Sequence, residues 1–79
     1  MDLVDCGPGD AVRVLGIGLD EGMRRRCREL GLQPGVVVHV THRAAFGGRV
    51  VAVGADRFAL DGRTCALVDV EHVAPVGVA

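Results

Sequence analysis

Three groups of side chains in this 79-residue chain could carry chemistry: Cys6, Cys27 and Cys65; His39, His42 and His72; and the arginines at 24, 25, 26 and 28. Each implies a different chemistry. Serine-based nucleophilic catalysis is excluded because the chain contains no serine, and a Cys-His pair needs an exposed thiol beside a positive group. Cys27 has Arg24 and Arg28 close in sequence. It also falls on the apolar stripe Leu19, Met23, Cys27, Leu30, spaced four, four and three as on one helix face, so a core role is expected for it, and likewise for Cys65. Metal ligation is poorly served, since no CxxC pair occurs. His39 and His42, three apart on a predicted strand, are expected on opposite faces, where one ion could not take both without a bulge. The turn Gly16-Ile17-Gly18-Leu19-Asp20-Glu21-Gly22 lies where a dinucleotide-binding loop would. However, Glu21 occupies the third glycine position, and Asp20 and Glu21 put carboxylates where a pyrophosphate would sit. A Walker loop needs lysine, and all nine basic residues are arginine. Asp10, Asp20, Asp56, Asp61 and Asp69 are expected at turns or on a solvent face, which leaves no carboxylate pair for acid-base work. No enzyme activity and no cofactor are expected.

The arginine cluster remains. With a formal charge of −1, a pI near 6.2 and only Phe46 and Phe58 as aromatics, the chain lacks both the global charge and the stacking platforms of a nucleic-acid binder. A proline-rich peptide groove, which needs aromatic walls, is disfavoured for the same reason. The cluster is either a solvated helix face, favoured near the C-terminal end of the helix dipole, or a face that contacts an acidic protein surface through Arg24, Arg25 and Arg28.

These residues must be positioned by short elements. The pattern predicts strands over Ala11–Ile17, Val36–Arg43, Arg49–Val53, Arg57–Leu60 and Ala66–Val70, with turns at 54–56 and 61–63. Between the first two strands the stripe predicts one helix, capped by Asp20 and ended by Gly31 in a left-handed conformation, with Leu32 folding back and Pro34 blocking continuation. The fold class is mainly β, a small curled antiparallel sheet or barrel with one short α-helix between its first two strands.

The length permits one domain, expected over residues 1–74 with a disordered tail at 75–79. A hydrophobic content of 49% with 24% charged residues indicates a folded chain. There is no apolar run of the roughly 18 residues that a membrane span requires and no basic, apolar leader, and three cysteines cannot all pair. A cytoplasmic location is expected, with no direct membrane insertion; self-association is left open.

Several phrases resemble the FeoA family, ferrous iron transport protein A: Ala11-Val12-Arg13-Val14, the loop Ala45-Phe46-Gly47-Gly48, the segments Phe58–Leu60 and Ala66–Val70, and above all Glu29-Leu30-Gly31-Leu32-Gln33-Pro34-Gly35, which is similar to that family's LGL-x-PG signature. The chain departs from the family pattern at Arg26-Cys27, at Gly47-Gly48-Arg49 and at Asp61. The resemblance implies an SH3-like small β-barrel that acts in the cytoplasm as a non-enzymatic accessory to FeoB, the membrane ferrous iron transporter with a GTPase domain. Two alternatives stand beside it: the SH3-like module of a metal-dependent repressor, and a small Fe(II)-binding chaperone. No metal-ligand set is assigned.

Overall fold

The structure, a computed structural model, describes residues 1–18 and 20–73; Leu19 and the expected tail at 75–79 lie outside them. Five strands form one sheet: β1 (Ala11–Ile17), β2 (Val37–Arg43), β3 (Arg49–Val53), β4 (Asp56–Leu60) and β5 (Val68–His72). Helix α1 (Glu21–Glu29) joins β1 to β2, and a shorter helix, α2 (Gly62–Ala66), precedes β5. Two 3₁₀ turns, Leu3–Asp5 and Ala45–Gly47, complete the elements. Every ladder is antiparallel, in the order β4-β3-β2-β1-β5. The fold is therefore mainly β with α1 where the sequence predicts it, and no ladder joins β4 to β5.

Strand alternation places Val12, Val14, Val38, Val40, Val51, Val68 and Val70 on the inner face, all at 2% exposure or less. β-branched side chains suit this pleated surface, and nearly the whole core is aliphatic. Leu32 and Cys27 from the α1 end, Leu60 from β4 and Cys65 from α2 pack into the same cluster. Leu3 and Cys6 join them, which the sequence pattern did not reveal.

Helix α1 starts as expected. The Asp20 side chain accepts the Met23 N–H at 2.9 Å, which meets one of the first-turn donors that have no helical partner. Its end is a Schellman arrangement: Gly31 has φ +84, its N–H reaches the Arg28 carbonyl at 2.9 Å, and the Leu32 N–H reaches the Cys27 carbonyl at 2.8 Å. That hydrogen bond turns Leu32 inward. Leu30, expected on the buried stripe, is instead the C-cap and is 42% exposed.

Some boundaries move. The turn expected at 61–63 is the start of α2, whose N-cap Asp61 accepts the Thr64 N–H at 2.7 Å; the five-residue helix gave too short a pattern to show a period. Ala66 consequently belongs to α2, and β5 runs to His72. β2 begins at Val37. The β3–β4 turn is shorter than expected: Val53 pairs with Asp56, and Gly54 takes φ +58 at the first central position, as a type II′ hairpin requires.

Candidate functional site

Helix α1 presents its arginines to solvent, and all four are exposed. Because 3.6 residues make a turn, Arg24 and Arg28 lie on one side of the helix, with Arg25 about 100° around from Arg24 and about 60° from Arg28. Arg24 and Arg28 line a groove of about 440 Å³ with Gly16 and Ile17 of β1 and Gln33 and Pro34 of the following loop. The groove thus combines two guanidinium groups, a side-chain amide and the apolar surface of Ile17 and Pro34. Arg25 is not among its lining residues. Arg24 approaches Glu21 at 3.4 Å across exposed surface, a weak contact. Among the described residues, no carboxylate lies within 4.0 Å of Arg25, Arg26 or Arg28. Arg26 and Arg28 also sit in the last helical turn, where the dipole favours cations.

The histidines depart from expectation. The register passes from Val40 opposite Val51 to His42 opposite Val50, so Thr41 is an extra residue in β2. His39 lies opposite Ala52, and Ala52 and Val50 share a face of β3; His39 and His42 therefore lie together on the outer face of the sheet. The bulge is held by the Thr41 hydroxyl, which donates to the Val50 carbonyl at 3.2 Å. His72 is placed on β5 opposite Val12. Among the described residues, no three His, Cys, Asp or Glu side chains converge as a metal site would need.

All three cysteines are buried and free. Burial pushes each thiol above its ordinary value of 9.0, and at Cys6 the Asp10 and Asp5 carboxylates add to it. At Cys65 the neighbouring Arg49 opposes that rise without overcoming it. Arg24 and Arg28 are not among the causes acting on Cys27, whose thiol is governed by desolvation alone. These are protonated core thiols rather than nucleophiles.

A second constellation escaped the sequence reading. Arg49, read simply as a strand residue, is 6% exposed. Its Nε donates to the Cys6 carbonyl at 2.7 Å and its Nη2 to the Val4 carbonyl at 2.6 Å, while Nη1 reaches the Gly47 and Gly48 carbonyls at 2.9 and 2.8 Å. No carboxylate lies within 4.0 Å of it among the described residues, so carbonyl dipoles alone solvate a buried cation. This guanidinium ties the N-terminal segment to the loop before β3. Strand parity was the available signal, since Arg49 must share a face with Val51.

In that loop Phe46 is 99% exposed and has φ +56, ψ +39, the left-handed region, which costs a side-chain-bearing residue about 1–2 kcal/mol. Neighbouring contacts hold it there. The Ala44 N–H bonds the Gly48 carbonyl at 2.9 Å, and the Gly48 N–H bonds the Ala45 carbonyl at 3.1 Å. Gly62 fits against the Phe46 carbonyl so closely that a side chain at 62 would collide with it.

No helix among the described residues is long and apolar enough to cross a membrane. No protein of curated function matches the chain. Solved structures do match. An iron uptake regulatory protein, FeoA, shares 29% identity over 92% of this chain and 97% of its own, with a TM-score of 0.84. The Stenotrophomonas maltophilia FeoA complexed with zinc, called a prokaryotic SH3 domain protein, is 31% identical over 90% of this chain and 89% of its own, with a TM-score of 0.67. The Chlorobium tepidum FeoA protein, 24% identical over 94% of this chain and 71% of its own, has the same fold at a TM-score of 0.85. These likenesses make the curled sheet SH3-like, as the sequence resemblance implied. With the FeoA domain model matching residues 1–72, the chain belongs to the FeoA family of ferrous iron transport accessory proteins.

Proposed function

We propose that this protein is a cytoplasmic, non-enzymatic docking module that binds the cytosolic part of the membrane GTPase-transporter FeoB and modulates it, with Arg24, Arg25 and Arg28 facing an acidic surface of that partner. One observation carries the reading: Arg24 and Arg28 flank a groove with an apolar floor, and Arg28 and Arg25 have no carboxylate partner among the described residues. Unneutralised arginines beside apolar surface favour an acidic protein partner, because the charges steer encounter and the apolar floor contributes burial. The S. maltophilia relative is described as a candidate ferrous iron transport activating factor, and the same class of role is assigned here by analogy. Ferrous ion is the transporter's cargo in this reading.

The test is direct binding to purified transporter together with its GTPase rate, measured with and without this protein. Reversing Arg24, Arg25 and Arg28 to Glu should weaken association about ten-fold or more at physiological salt and abolish any change in GTPase rate. Unchanged affinity in the triple variant would remove the arginine face from the interface.

A further inference from the structure

We infer that Phe46 is a preformed aromatic anchor that inserts into an apolar pocket with an acidic rim on the protein partner. The inference rests on the docking reading above and adds the contact that would hold the complex together. A lone apolar residue at a surface is ordinary. Phe46 differs because its ring is 99% exposed while its backbone is held in a conformation that disfavours a side chain. The other phenylalanine, Phe58, packs against the core, so Phe46 has not been left outside for want of aromatic packing partners. Glycine would satisfy the same backbone without strain, as it does next door at Gly47, with φ +81.

The loop is also fixed from several sides. Arg49 grips the Gly47 and Gly48 carbonyls, Gly62 abuts the Phe46 carbonyl, and the Ala44–Gly48 hydrogen bonds close the turn. Strain held in place by independent contacts is a mark of a functional position. Rigidity identifies the receiver: a fixed ring orientation lowers the entropy cost of entering a shaped protein pocket, whereas fluid lipid would accept a mobile ring equally well. Charge specifies the pocket's rim. Arg43 ends the strand before the loop, is exposed and has no carboxylate within 4.0 Å among the described residues, whereas Arg63 beyond Gly62 is offset by the exposed Asp61 in the same turn. A pocket edged with Asp or Glu complements such a knob.

The anchor and the α1 arginines should be separable kinetically. Rim charges act mainly on association and its salt dependence, while a buried aromatic acts on dissociation. The experiment uses the full chain and purified transporter in lipid discs, with protein-free discs of the same lipid as a control, and follows association and dissociation by interferometry. Phe46→Gly should dissociate about thirty-fold faster with little change in association, while its melting temperature stays equal or rises because the backbone strain is relieved. Phe46→Asn, which also tolerates the left-handed region, should behave in the same way.

Unchanged dissociation in both variants, with wild type bound, overturns the anchor and leaves the docking reading standing. Wild type that fails to bind the transporter overturns both. Binding to protein-free discs that is lost with Phe46→Gly assigns the ring to lipid, and a dimer dissolved by the same change in sedimentation assigns it to a second copy. Either result overturns the pocket.

Discussion

The arginines of α1 and Arg49 are the same side chain in opposite circumstances. On α1 they project into water from a helix whose backbone bonds are already made, and their charges meet almost nothing of the protein itself. Arg49 is enclosed, and its N–H groups hold carbonyls 43 and 45 residues away in sequence. A guanidinium in water is a recognition element, whereas one surrounded by carbonyls is a structural brace. The difference lies in where the neighbouring carbonyls point, which net charge does not disclose.

The comparison breaks most decisively at Arg49. Arg49→Met removes the donors while keeping most of the bulk, leaving the Val4, Cys6 and Gly47 carbonyls to find new partners while Gly48 keeps the Ala44 N–H, and should destabilise the domain by about 3 kcal/mol. Urea denaturation would read this as a lower midpoint; a loss under 1 kcal/mol would mean the brace is dispensable. For a domain whose net stability is about 3–5 kcal/mol, the expected loss unfolds a visible fraction of molecules.

A smaller effect is expected from the cap that positions the α1 arginines. Asp20→Ala releases the Met23 N–H and should cost about 1 kcal/mol in the same titration. If that midpoint does not move, α1 is set by its packing on the sheet alone. The smallest effect sharpens the contrast from the other side. Reversing Arg24, Arg25 and Arg28 should shift stability by only about 0.5 kcal/mol or less, because these side chains are exposed and weakly paired. A larger loss would show that they brace the fold as Arg49 does.

Most of the sheet was legible in the sequence, because valine alternation is a direct signature of one buried face. β1 and β3 run as the pattern predicts, and Asp20 and Gly31 bound α1 through local backbone chemistry that the residue types themselves specify. What escaped was non-local or aperiodic. The Thr41 bulge reverses side-chain parity, so the two histidines change their relationship without any change in spacing. Leu3 and Cys6 enter the core through a 3₁₀ turn, fixed by Asp2 accepting the Val4 N–H at 2.9 Å and by the Asp5 carboxylate accepting the Asp2 N–H at 3.1 Å. Five residues of α2 are too few to show a period. Phe46 could be read as a loop residue, but neither its exposure nor its left-handed backbone is written in composition.

The strand order has a consequence for how the chain is made. Of the five described strands β1 comes first in the chain, yet it lies inside the sheet, hydrogen-bonded to β2 on one side and to β5, the fifth, on the other. Val12 pairs with His72, so the nascent polypeptide carries one flank of β1 unzipped until β5 has been made and released from the ribosome. Closure of that seam involves distant partners and is expected to be the slow event of folding, after α1 and the β3–β4 hairpin have formed from neighbours in sequence.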